Sequence, residues 1–140
     1  MRRIAFAIAS LALVLAAGCI MMGRPHPDAD TSPRRVSQAG KYEVTYEPSV
    51  QPVPKRQLHA WTLRVRTSDG RPVDGAKLRI DGGMPDHGHG LPTRPAVRRA
   101  LGDGAYVVEG MKFNMGGYWV VDVSIDAAEG ADDVRFELNL

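Results

Sequence analysis

The 140-residue chain has a single cysteine, so no disulfide can form within it, and an exported domain would have to stand on its hydrophobic core alone. It has no aromatic-interleaved basic stripe, which sets nucleic acid aside as a partner. No glycine-rich loop leads from a strand into a helix, which removes the usual phosphate cradle. Asp86 and His87 are adjacent in an extended stretch, where neighbouring side chains diverge, and no serine lies near in sequence to act as nucleophile. The chain therefore reads as a binding protein rather than an enzyme. Beyond the first residues it also lacks any convincing helical window.

What the chain does have begins with an address. Arg2 and Arg3 precede an apolar run, Ile4 to Ala17, that is too short for a membrane span of ~20 residues and ends in small residues. Leu15-Ala16-Ala17-Gly18-Cys19 resembles a bacterial lipobox, which implies cleavage before Cys19 and acylation of that cysteine. Residues 1–18 are then a lipoprotein signal peptide, and the mature protein is anchored to a membrane of the cell envelope, in the periplasm or at the surface. Acylation would also remove the only thiol as a nucleophile or metal ligand. Loss of Arg2 and Arg3 lowers Lys+Arg from 18 to 16, equal to the 16 Asp+Glu, so the mature chain is formally neutral. Residues 19–40 are rich in proline, charge and small polar side chains and predict a flexible tether. Met21, Met22 and His26 within it read as tether residues rather than ligands.

Residues 41–140 have the size of one immunoglobulin-like sandwich, ~100 residues, and predict an all-β fold: an antiparallel β-sandwich of about seven strands. His59, Trp61, Leu63 and Val65 alternate with polar residues, as do Ala76, Leu78 and Ile80, Trp119 to Ile125, and Val134 to Leu140. Ala96 to Leu101 predicts a weak edge strand. Trp61, Leu63, Leu78, Val121, Val123 and Phe136 are the expected core. His59, on an apolar face, reads as a buried histidine with satisfied hydrogen bonds.

One stretch stands apart from this pattern. Gly83 to Pro95 holds two of the four histidines, a methionine, three glycines and three prolines, and should cross one end of the sandwich. In an extended backbone His87 and His89 project to the same side. Imidazole nitrogen suits copper, zinc and nickel, and thioether sulfur favours Cu(I). His87 and His89 with a thioether from Met84, Met111 or Met115 make a plausible copper site. Zinc, preferring thiolate, carboxylate or a third imidazole, suits it less. The same residues also allow a purely structural loop, with the methionines as core filler.

The run Met84-Pro85-Asp86-His87-Gly88-His89-Gly90, then Pro95, Gly104-Ala105-Tyr106 and Phe113-Asn114-Met115-Gly116-Gly117-Tyr118-Trp119, resembles the YtkA-like domain, a relative of FixH-like proteins. The resemblance covers residues 57–126 and implies a small extracytoplasmic β-sandwich. FixH-like proteins are associated with assembly of copper-containing oxidases, which implies copper as the cofactor or cargo. Two expectations follow. One is a copper-holding or copper-delivering lipoprotein with a copper-receiving envelope partner. The other is a metal-free envelope protein-protein interaction module.

Overall fold

Alternation of apolar and polar residues decides the faces of most of the long strands. In the computed structural model, which describes residues 24–140, nine strands form two antiparallel sheets. The signal peptide, Cys19, Met21 and Met22 lie outside the described residues. The strands are β1 (Arg34–Val36), β2 (Tyr42–Pro48), β3 (His59–Thr67), β4 (Lys77–Met84), β5 (His89–Gly90), β6 (Ala96–Gly102), β7 (Ala105–Met111), β8 (Tyr118–Asp126) and β9 (Asp132–Asn139). One sheet runs β1-β2-β3-β7-β6 and the other β5-β4-β8-β9. Seven of the strands are seven residues or longer, and β1 and β5 are short additions at sheet edges. The sandwich of about seven strands is therefore what the chain forms.

The core lies between the facing sheets. Trp61, Leu63, Val121, Val123 and Phe136 are all buried in one cluster with Tyr42, Trp119, Met84, Met111 and Phe113. Leu78, expected among them, is only partly buried. The reason is the shortness of β5, which pairs with β4 only at Gly83 and Met84 and leaves the rest of β4 as a sheet edge. β4 begins at Lys77, one residue after the Ala76 with which the alternation starts. Pro72 and Val73 before it bond instead to β3 of the other sheet, through an Arg66–Pro72 bridge and the Val73 N–H to Val65 O at 3.0 Å. Gly75 at φ 73° bends the chain across into β4. β6 is the exposed edge strand expected, its ladder to β7 broken by register shifts.

The N-terminal segment departs most from expectation. Residues 24–40 do not run free: β1 pairs with β2, and Gln38 N–H donates to Asp133 O at 2.8 Å. Asp132 receives the Ser37 hydroxyl at 2.6 Å and the Ala39 amide at 3.0 Å. Proline and charge make this segment poor at building a core of its own, but they do not prevent a sheet edge from holding it. It straps the side of the sandwich between β2 and β9. Among the described residues no helix is long and apolar enough to cross a membrane.

Candidate functional site

The stretch expected as a loop is a β-hairpin. β4 continues through Gly82 and Gly83 to Met84, and β5 returns antiparallel, pairing Met84 with His89 and Gly83 with Gly90. Pro85, Asp86 and His87 form one 3-10 turn between them, and Gly88 closes it in the left-handed region at φ 64°. Pro85 suits the first position of that turn, where its missing N–H costs nothing. Gly83 is required by proximity: a Cβ there would collide with the carbonyl oxygen of His89.

The backbone between the two imidazoles is thus bent, not extended. The rings still come together, with centroids 6.0 Å apart and planes inclined by 27°. Two imidazoles sharing one ion at ~2 Å from nitrogen have centroids about 5–6.5 Å apart, so the spacing fits a common metal. His87 is half-buried and His89 exposed, which leaves the pair open to solvent on one side.

Directly opposed residues of two paired strands stand on the same face. His89 therefore shares the face of Met84, which is buried in the core against the inner side of β8. Met84 is the thioether that the register brings nearest. Met115 lies at the same end, half-buried, with its carbonyl accepting the Trp119 indole N–H at 3.1 Å. Met111 ends β7, fully buried and opposite His59 in the other sheet. All three methionines sit at the hairpin end, Met111 deepest inside it.

A third imidazole approaches from the N-terminal strap. His26 stacks on Tyr118, with ring centroids 4.0 Å apart and planes 4° from parallel, and its Nε2 lies 2.9 Å from Asp86 Oδ2. Its backbone is clamped by the amide of Asn139, which accepts from His26 N–H at 3.0 Å and donates to His26 O at 2.9 Å. Tyr118 and Asn139 face outward, opposite to Met84 and Trp119. The strap histidine and the His87–His89 pair therefore stand on different sides of the sheet. Among the described residues no three His, Cys, Asp or Glu side chains gather as metal ligands would. A site here has two imidazoles and must take any further donor from sulfur.

His59 is the satisfied buried histidine the sequence predicts. Its Nε2 accepts from the Trp61 indole N–H and its Nδ1 lies against Gln57 O, each at 3.2 Å. Since the indole can only donate, the Nδ1–H tautomer is the one that fits. The seat of His26 was not legible from sequence, because Asn139 is 113 residues away and neither partner carries a motif.

The chain matches the YtkA-like family over residues 36–124. No curated protein matches it significantly. A DUF4426 family protein from Pseudomonas aeruginosa PAO1 superposes at TM-score 0.56 and 16% identity, covering 76% of this chain and 96% of that one. FetP from uropathogenic Escherichia coli strain F11 gives TM-score 0.49 and 14% identity over 79% of this chain and 93% of its own. A copper-bound variant of FetP gives 0.49 and 12%, over 78% and 94%. Identities this low speak to the fold alone, and the two FetP comparisons bear on no site.

Proposed function

The chain belongs to the YtkA-like family, and from that premise we propose that it is an extracytoplasmic lipoprotein, anchored through Cys19, whose hairpin holds or delivers copper. The observation that carries this reading is the pair of imidazoles on one turn, 6.0 Å between centroids, with His89 directly across from a buried methionine. Two nitrogens and one soft sulfur suit Cu(I), which thioether ligands favour. They suit zinc poorly, since a structural zinc site needs four N, O or thiolate donors and a catalytic one three. Met84 is the thioether assigned first, and Met115 second. The exposed side of His89 leaves room for a receiving protein to replace one ligand at a time, as transfer of a cargo ion requires.

The test is a titration of the chain from residue 20 onward with Cu(I) under anaerobic conditions and with Cu(II) in air. One equivalent of Cu(I) should bind and be lost in His87→Ala/His89→Ala, while His26→Ala keeps it. Binding no tighter than that of a scrambled-hairpin control would sink the copper reading. A second reading, a metal-free interaction module of the envelope, is favoured by the lack of a third His, Cys, Asp or Glu ligand among the described residues. That reading expects the double variant to keep its partner, which a copper carrier would lose.

A further inference from the structure

The seat of His26 has a consequence for where the hairpin sits. We propose that the hairpin end of the sandwich, with His87 and His89, lies against the bilayer that holds the Cys19 anchor; this rests on the lipoprotein reading above. Seven residue steps separate Cys19 from His26, which span at most about 25 Å. His26 is bonded to Asp86 in the hairpin turn itself. A free tether as far as Lys41 would reach about 75 Å and impose no orientation. The strap shortens the leash threefold and attaches it at one end of the molecule. The opposite end, across the nine residues of β3, is about 30 Å further away.

The side chains of the 49–58 loop point the same way. The hairpin end gathers Lys55, Arg56, Arg94 and Lys112, none of which has an ion-pair partner among the described residues. The acids there are Asp86, tied to His26, with Asp28, Glu47, Glu109 and Glu137. The end as a whole is therefore not basic, and its cationic spot is Lys55 and Arg56 on the 49–58 loop. The far end carries Asp69, Asp74, Asp103, Asp126, Glu129 and Asp133 on its turns, together with Lys41, Arg66, Arg71 and Lys77, and stays net acidic. Of the four exposed large apolar side chains, Val36 and Leu101 lie toward the far end, while Val50 and Leu58 are on the 49–58 loop of the hairpin end. A groove of about 680 Å³ beside them is lined by Pro52, Val53, Pro54, Leu138 and Leu140, with Lys55 at its rim. Cations over exposed apolar side chains fit an anionic lipid surface, where each Lys or Arg near the headgroups contributes ~1 kcal/mol. The acidic end is repelled by it. The imidazole pair would then serve partners embedded in the same membrane.

With Cys19 acylated, an introduced cysteine is the sole free thiol. Gln57→Cys at the hairpin end and Glu129→Cys at the far end are labelled with a fluorophore in the acylated full chain. Each is reconstituted into phosphatidylethanolamine/phosphatidylglycerol vesicles carrying a headgroup quencher. Quenching should be several-fold stronger at residue 57 than at residue 129, and the contrast should shrink in His26→Ala/Asn139→Ala. Equal quenching at both positions, or a contrast undiminished by freeing the strap, overturns the orientation and leaves the copper reading untouched. A chain that mass spectrometry shows to be unacylated at Cys19 overturns the anchor and the orientation together.

Discussion

His59 and Asp132 bind opposite ends of the sandwich through hydrogen bonds that each need one protonation state. Burial lowers the His59 pKa from its usual 6.5, against a smaller raising contribution from its bond to Gln57. Protonation would set Nε2–H against the Trp61 N–H, two donors with nothing between them. A histidine depressed in the folded state leaves the unfolded chain with more protons, so stability rises with pH. We expect stability to be full above about pH 6.5 and to fall as pH drops below it. His59→Gln should flatten that limb in urea titrations run across pH 5–7.5. Asp132 behaves in the same direction but lower down. Burial pushes its carboxyl up, but bonds from Ser37, Ala39, Asp133 and Lys41 outweigh this and hold it at about 2, against a usual 3.8. Its contribution is complete above pH 3.8 and is lost as pH falls toward 2. Asp132→Ala should cost about 1–3 kcal/mol at pH 7 by orphaning buried donors. The methionines allow a separation of roles at the same scale. Met84→Leu, Met111→Leu and Met115→Leu conserve volume and should each change stability by less than ~1.5 kcal/mol. A thioether ligand among them is the one whose replacement weakens Cu(I) binding while Tm stays nearly unchanged.

The hairpin is the element on which the copper reading depends, and two glycines set its shape. Gly83→Ala forces a Cβ into the His89 carbonyl, so β5 must part from β4. Overpacking of this kind costs about 1–3 kcal/mol, and Cu(I) affinity should fall because His89 loses its register opposite Met84. Gly88→Ala keeps the space open but strains a left-handed residue, at a cost of about 1 kcal/mol. Circular dichroism melts and Cu(I) competition assays on the two variants should show the larger affinity loss in Gly83→Ala. Equal losses would mean that turn geometry, not strand register, holds the imidazoles. Sequence pattern reached the composition of this element and its position at one end of the sandwich. It missed the hairpin, because Gly82 and Gly83 read as the end of a strand when they are what lets two backbones approach.

At the scale of the whole molecule, the strap decides how the parts relate. The His26–Asp86 bond is half-exposed on both sides, and such a pair contributes at most about 1 kcal/mol. The strap is held by the sum of that bond, the Tyr118 stack, the Asn139 clamp and the Asp132 cluster. His26→Ala should therefore lower stability by less than ~1 kcal/mol, yet speed amide exchange at Asp30 and Ser32 far more than in β3. Unchanged exchange there would mean that the strap is held by β1 alone.

The sequence by itself determined the sandwich, its core faces, the buried state of His59 and the pairing of His87 with His89 in one short stretch. Each of these is local, because alternation assigns a residue to a face whatever the strands later meet. Leu78 marks the limit, since its burial depends on how far the neighbouring strand extends. Only the tertiary structure decided that the proline-rich segment from residue 24 lies on the sheet, that Asn139 grips His26, and that Met84 rather than Met111 stands opposite His89. Those contacts join residues far apart in sequence that carry no periodic signal. They arise where an exposed strand edge and outward-facing side chains offer hydrogen bonds that a segment without its own core can use.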